Sequence, residues 1–191
     1  MNKKKMLEQV DRLFDNSIQT IIDSKKLKSE VVDAVNLILD SLKNNGKIIS
    51  FGNGGSAADA QHFVAEFVGR FQKERESIPA ISFTTDTSII TAIGNDYGFE
   101  KIFERQAEGL ISKNDVVIAI STSGKSKNVL KGIQMAKKKG AKIISLTGSI
   151  PVKLSENSDI SIMIPSKSTA RIQEVHRLVL HYICELVEEG I

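Results

Sequence analysis

Apolar residues recur at three- and four-residue steps through the first 45 residues. Leu7, Val10, Phe14, Ile18 and Ile21 form one series, and Val31, Val35, Ile38, Leu39 and Leu42 form a second. The spacing predicts an N-terminal helical hairpin over residues 1–45, with Ser29 as a cap of its second helix and Gly46 as the C-terminal stop. From Lys47 the rhythm shortens. Five β-rich apolar runs follow: Lys47–Phe51, Ala80–Phe83, Val116–Ile120, Lys142–Leu146 and Ile160–Ile164. Helical patterns lie between them at Ala57–Phe71, at Ser88–Ile93 with Glu100–Ala107, and at Asn128–Lys139. A last helix runs from about Thr169 to Glu189. Strands alternating with helices imply right-handed βαβ units on a parallel sheet. No repeat or linker divides the chain, so residues 1–191 are expected to form one α/β domain, a three-layer sandwich on a five-stranded parallel sheet.

Composition narrows the function classes. The 191 residues are 41% hydrophobic and 26% charged, which excludes disordered and fibrous classes and leaves enough chain for a real core. Net charge is +3, and the lysines are not interleaved with aromatics, so no nucleic-acid partner is expected. No apolar run is long enough to span a membrane, and none follows Lys3–Lys5 to make a signal peptide. The single cysteine, Cys184, excludes an intrachain disulfide, fits a reducing compartment and reads as a buried thiol. A soluble, cytoplasmic protein is expected.

Two loops carry the candidate chemistry, each between a strand and a helix, where open parallel sheets bind ligands. The first is Gly52-Asn53-Gly54-Gly55-Ser56. Glycines there permit positive φ and close approach to a ligand, although a plain tight turn needs the same residues. Ser56 followed by Asp59 resembles a capping box. Gly52, Gly54 and Ala57 also fit a loose dinucleotide pattern. That pattern asks for an acidic residue about 20 positions on, and the nearest at a strand end, Asp86, is 34 positions after Gly52. The dinucleotide reading is therefore set aside. On the helix that follows, Ala60, Phe63, Val64, Phe67 and Phe71 make the apolar stripe. His62 and Glu66 fall opposite, about 40° apart on the helical wheel. Such a pair suits a solvated face, a metal site or acid/base work.

The second loop is Ser121-Thr122-Ser123-Gly124-Lys125-Ser126. Its hydroxyls and the following helix N-terminus can wrap one phosphate, whereas the spacing of a nucleoside-triphosphate P-loop is absent. On the last helix Ile172, Val175, Val179, Ile183 and Leu186 form the apolar stripe. His176 lies beside it as a packing residue, and His181 lies on the far side with Gln173 and Arg177. Gln173 and His181 are eight residues apart, roughly 12 Å of helix. Either Gln173 reaches from a frayed helix start, or the two serve different subunits' sites.

GNGGSAADAQHFVAE, TTDTSIITAIGNDYGFEKIFERQ, STSGKSKNVL and TARIQEVHRLVLH, in that order, resemble the sugar isomerase (SIS) domain superfamily, with its flavodoxin-like sheet, and within it the phosphoheptose isomerases. The resemblance covers nearly the whole chain. It implies a cytoplasmic homotetramer, with residues 1–45 as oligomerising helices and active sites between subunits. The implied reaction interconverts sedoheptulose 7-phosphate and D-glycero-D-manno-heptose 7-phosphate through an enediol, opening heptose supply for lipopolysaccharide or related glycans. By the same likeness Glu66 and His181 are catalytic base and acid. Asn53, Gly54, Gly55, Ser56, Asn95, Asp96 and Gln173 contact the sugar, and Ser121, Thr122, Ser123 and Ser126 hold the phosphate. His62, Glu66, Gln173 and His181 form a zinc site, one ion per subunit. A related group acts as an adaptor for the replication initiator DnaA, and this chain differs from it in retaining Glu66 and His181.

Overall fold

The computed structural model describes residues 2–191. Asn2 caps the first helix, α1 (Lys3–Ser24), by accepting from the Lys5 N–H. A 3-10 turn, Lys25–Leu27, leads into α2 (Lys28–Lys43). Ser29 lies inside α2 and is not its cap. Ser24, Lys25 and Lys28 all keep right-handed helical backbone, so no extended residue is available to turn a hydroxyl onto the first N–H groups. The two helices meet at this turn, and each rests on the last helix rather than along the other. The positive φ past α2 belongs to Asn45, at 57°. Gly46 is needed for a different reason: a Cβ there would lie 2.1 Å from the Asn114 carbonyl oxygen.

The remaining elements are β1 (Ile48–Gly52), α3 (Gly55–Val68), β2 (Ala80–Ser82), α4 (Thr87–Tyr97), α5 (Ile102–Leu110), β3 (Val116–Ile120), α6 (Lys127–Lys138), β4 (Lys142–Gly148), a single turn α7 (Lys153–Glu156), β5 (Ile160–Ile164) and α8 (Thr169–Glu189). Thus α3 stops three residues short of Phe71, and α7 adds an element too short to show periodicity. All strand pairs are parallel, in the order β2-β1-β3-β4-β5, which is the flavodoxin-like order.

Alternation along the central strands feeds two cores. Ile48, Val116, Ile118, Ile120, Ile144 and Leu146 face α2, α3 and α8. Ile49, Phe51, Val117, Ala119 and Ile143 face α5 and α6. On that second face the Phe51 ring stacks on Phe83 and Phe103, with centroids 5.7 and 4.8 Å apart. This is the expected three-layer α/β sandwich. Its chain order reverses between β1 and β3, so a crevice opens at the carboxyl ends of those strands, where both candidate loops begin.

Candidate active site

The first loop is built by close approach. A Cβ on Gly52 would sit 2.7 Å from the Ile120 carbonyl oxygen, so only glycine lets β1 leave the sheet here. Gly54 takes φ 56° and ψ −121° as the N-cap of α3, with no side-chain cap. The capping-box expectation for Ser56 and Asp59 therefore fails: Ser56 is buried within the first turn, and the Asp59 carboxylate accepts from Arg177 instead. Asn53 and Asn128 exchange amide hydrogen bonds of 2.9 and 2.7 Å, tying this loop to the first turn of α6.

The second loop is organised around its hydroxyls. The Ser121 Oγ accepts from the Gly124 N–H at 3.1 Å and shares a hydrogen bond with the Ser126 Oγ at 3.2 Å. The Lys125 N–H donates to Ser123 Oγ, and the Gly148 N–H donates to the Thr122 carbonyl. Gly124 has φ 60°, and a Cβ there would meet Val152 at 2.1 Å. Ser126 sits at the N-cap of α6 without spending its hydroxyl on the helix, and no acidic residue occupies that first turn. Hydroxyls and a positive helix end thus face one place, the arrangement an anion requires. A cavity of about 460 Å³ opens beside it, lined by Asn53, Gly98, Phe99, Glu100, Ser126, Lys127 and Asn128.

The third component lies between α3 and α8. One ligand atom each from His62, Glu66 and His181 falls within 4.8 Å of the others. The Nε2 atoms of His62 and His181 are 2.7 Å apart, so one ring donates and the other accepts, and Glu66 Oε1 is 3.3 Å from His62 Nε2. Burial, together with His62, pulls the His181 pKa below its ordinary value; Glu66 opposes this and Arg177 adds to it. The ring of Phe71 lies 5.7 Å from that of His181. His176 behaves as the packing residue expected, fully buried with Nε2 against the Thr147 carbonyl at 3.2 Å. Cys184 is buried, and burial pushes its thiol pKa up.

The two helices run side by side in the same direction, so contacts between them keep step. Gln173 lies against Gly55, Arg177 against Asp59 and His181 against His62. Gln173 is thus part of α8 rather than a frayed start, and within one chain its amide meets the first loop rather than the triad. Seven residues of α3, roughly 10 Å of rise, separate Gly55 from His62. Asn95 and Asp96 are exposed on α4, where the Asn95 amide donates to Asp96 at 2.8 Å. Three features escape a reading of the sequence: the Asn53–Asn128 amide pair, the Asp59–Arg177 ion pair and the Arg75–Glu188 ion pair. Only Arg177 carried a signal, its place on the His181 face.

A SIS domain family model matches residues 14–148. A phosphoheptose isomerase from Aquifex aeolicus is 50% identical over 185 residues, 96% of this chain and 97% of that protein. The chain belongs to the phosphoheptose isomerases of the SIS-domain family. A solved structure of phosphoheptose isomerase GmhA from Neisseria gonorrhoeae superposes with a TM-score of 0.91 at 41% identity, covering 96% of this chain and 99% of that one. A phosphoheptose isomerase from Francisella tularensis gives 0.93 at 35% identity, covering 96% and 98%. The adaptor alternative gains no support, because these phosphoheptose isomerase relatives match along nearly their whole length. The His62–Glu66–His181 cluster offers two imidazole nitrogens and a carboxylate oxygen, a donor set suited to a divalent metal. No helix among the described residues is long and apolar enough to cross a membrane.

Proposed function

We propose that the chain interconverts sedoheptulose 7-phosphate and D-glycero-D-manno-heptose 7-phosphate, in the cytoplasm, supplying heptose for lipopolysaccharide or related glycans. The observation that carries this reading is the approach of Glu66 and His181 across α3 and α8, on a helix that begins at the crevice shared with the Ser121–Ser126 cradle. An aldose–ketose isomerase of this substrate must hold a phosphate at one end and move protons at the other. The two ends of α3 offer that separation.

In the open-chain sugar, the Glu66 carboxylate takes the proton from the carbon beside the carbonyl, and the electron pair forms an enediol. His181 carries a proton between the two oxygens, and Glu66 returns one to the former carbonyl carbon, so atoms and charge balance. Burial lowers the His181 pKa, and an imidazole, which ordinarily titrates near neutrality, can both give and accept a proton. Ser121, Thr122, Ser123 and Ser126 bind the phosphate. Asn53, Gly54, Gly55, Ser56 and Gln173 meet the sugar, and Asn95 and Asp96 on exposed α4 complete the site in the assembly.

His62, Glu66 and His181 would hold zinc, which when bound would stabilise the α3–α8 contact and offer Lewis-acid polarisation. A carboxylate and an imidazole committed to the ion do not move protons freely, so proton transfer is the role assigned to Glu66 and His181 in turnover. Gln173, whose amide lies at Gly55, is proposed to contact the sugar and, as the fourth member of the expected zinc set, to complete that site in the assembly. Residues 1–191 act as one SIS domain, with residues 1–45 as its assembly helices. Leu7, Val10, Phe14 and Ile18 on α1 are 46–64% exposed, an apolar stripe that a homotetramer would cover. The deciding experiment is an assay on sedoheptulose 7-phosphate with and without a chelator; no turnover in either condition would overturn the reading.

A further inference from the structure

Two ion pairs bracket the His62–Glu66–His181 cluster along the same pair of helices. On one side Asp59 of α3 accepts from Nε and Nη2 of Arg177 on α8, at 2.8 and 2.5 Å. On the other side stands Glu188, seven residues beyond His181. Its carboxylate accepts from the backbone N–H groups of Phe71, Gln72 and Lys73 at 3.1, 2.8 and 2.8 Å, and from Arg75 Nε at 2.9 Å. Arg75 in turn donates Nη2 to the Glu66 carbonyl at 2.7 Å and Nη1 to the Phe67 carbonyl at 2.9 Å. Those carbonyls belong to the last turn of α3 and have no partner within the helix. A continuous path therefore runs from α8 through Glu188 and Arg75 to the backbone of Glu66. The same carboxylate also holds Phe71, whose ring packs on His181.

The side chains of Glu188 and Arg75 are 2% and 12% exposed. Burial alone would raise the Glu188 pKa, yet the three backbone donors and Arg75 bring it down to about 2, so the pair stays charged. Buried ion pairs are a poor way to gain stability, since apolar residues of similar volume commonly do as well. What such pairs supply is a fixed geometry. One attachment would leave α3 free to pivot on α8; two attachments, flanking the triad, fix both spacing and rotation.

We propose that Arg75 and Glu188 are positioning residues: they set the distance between Glu66 and His181 through the last turn of α3, with Asp59–Arg177 as the second fixed point. The kinetic consequence rests on the isomerase reading above; the structural consequence does not. Arg75→Lys keeps the charge, but one ammonium cannot bridge Glu188 and the two carbonyls. Glu188→Gln is milder, keeping an oxygen for the backbone donors.

The test combines steady-state kinetics on sedoheptulose 7-phosphate, inhibition by inorganic phosphate, thermal unfolding and a crystal structure of the Arg75→Lys variant. The expected result for Arg75→Lys is a folded protein whose kcat falls about tenfold or more, with KM and phosphate inhibition within about twofold of wild type. Glu188→Gln falls between. In the crystal the distance from the Glu66 carboxylate to the His181 imidazole lengthens by about 0.5 Å or more. Wild-type kcat with an unchanged separation overturns the proposal. So does a loss in which kcat, phosphate inhibition and Tm deteriorate together, which would mark the pair as scaffold only. If wild type itself does not isomerise the sugar, the functional reading fails, and the crystallographic separation alone decides the positioning role.

Discussion

The Nε2 atoms of His62 and His181 face one another at 2.7 Å although 119 residues separate them in the chain. They meet because α3 and α8 cover the same face of the sheet and run in parallel. Glu66 stands one turn beyond His62 and joins the same contact. A carboxylate and an imidazole so placed have the chemistry for moving a proton between adjacent carbons.

Replacing either group should therefore stop the chemistry and spare the fold. Glu66→Gln and His181→Gln are expected to lose about 10²–10⁴ in kcat, with an unchanged circular dichroism spectrum. Turnover at the wild-type rate by either variant would remove that residue from the mechanism.

Phosphate binding is nearly equal in ground and transition states, so damage to the cradle should appear in KM. Alanine at Ser121, Ser123 and Ser126 together should raise KM by more than it lowers kcat. An unaltered KM would place the phosphate elsewhere.

Gly124 is constrained twice, by φ 60° and by Val152 at 2.1 Å from any Cβ. Gly124→Ala should destabilise the protein by about 1–3 kcal/mol, read as a shift in the urea midpoint. Adding Val152→Ala should restore the part due to crowding and leave the part due to backbone strain. Full recovery would mean that the positive φ is not costly here.

His176 gives a pH dependence whose sign is fixed. Burial lowers its pKa from 6.5 to about 4, although the Thr147 carbonyl favours the proton. Below pH 6.5 the unfolded chain takes up a proton that the folded chain refuses. Its contribution is thus intact above that pH and is lost as pH falls toward 4, by up to about 3 kcal/mol. Urea unfolding at pH 7 and pH 5 should show a smaller stability difference for His176→Leu than for wild type. Identical slopes would show that another group carries the acid sensitivity.

The exposed stripe of α1 should prove to be an assembly surface. Phe14→Glu with Leu7→Glu is expected to reduce the particle mass measured by light scattering, because charges on a buried interface are unpaired. A mass equal to that of wild type would put the subunit contact on another face.

Periodicity located every strand to within two residues, because side chains buried on both faces of a parallel sheet leave unbroken apolar runs that little else produces. It also found the pair His62 and Glu66, since a helix converts a spacing of four into a shared face. Ends were harder. Ser29 and Ser56 are good capping residues by type, but one sits inside α2, one residue past the point where the 3-10 turn hands over to it, and the other behind a glycine that caps by conformation.

What the sequence determined by itself, then, was the identity of every strand and of each helix longer than the single turn α7, with the two loops that emerge from β1 and β3. Those depend on the preferences of neighbouring residues, which act over a turn or two. Packing alone decided that Gln173 lies at Gly55 while His181 lies at His62. The same holds for Asp59 pairing with Arg177 and for Glu188 gripping the loop after α3. Each of these joins residues more than 100 positions apart, and no local preference carries information over that distance. Only burial of α3 and α8 against one sheet face brings them together.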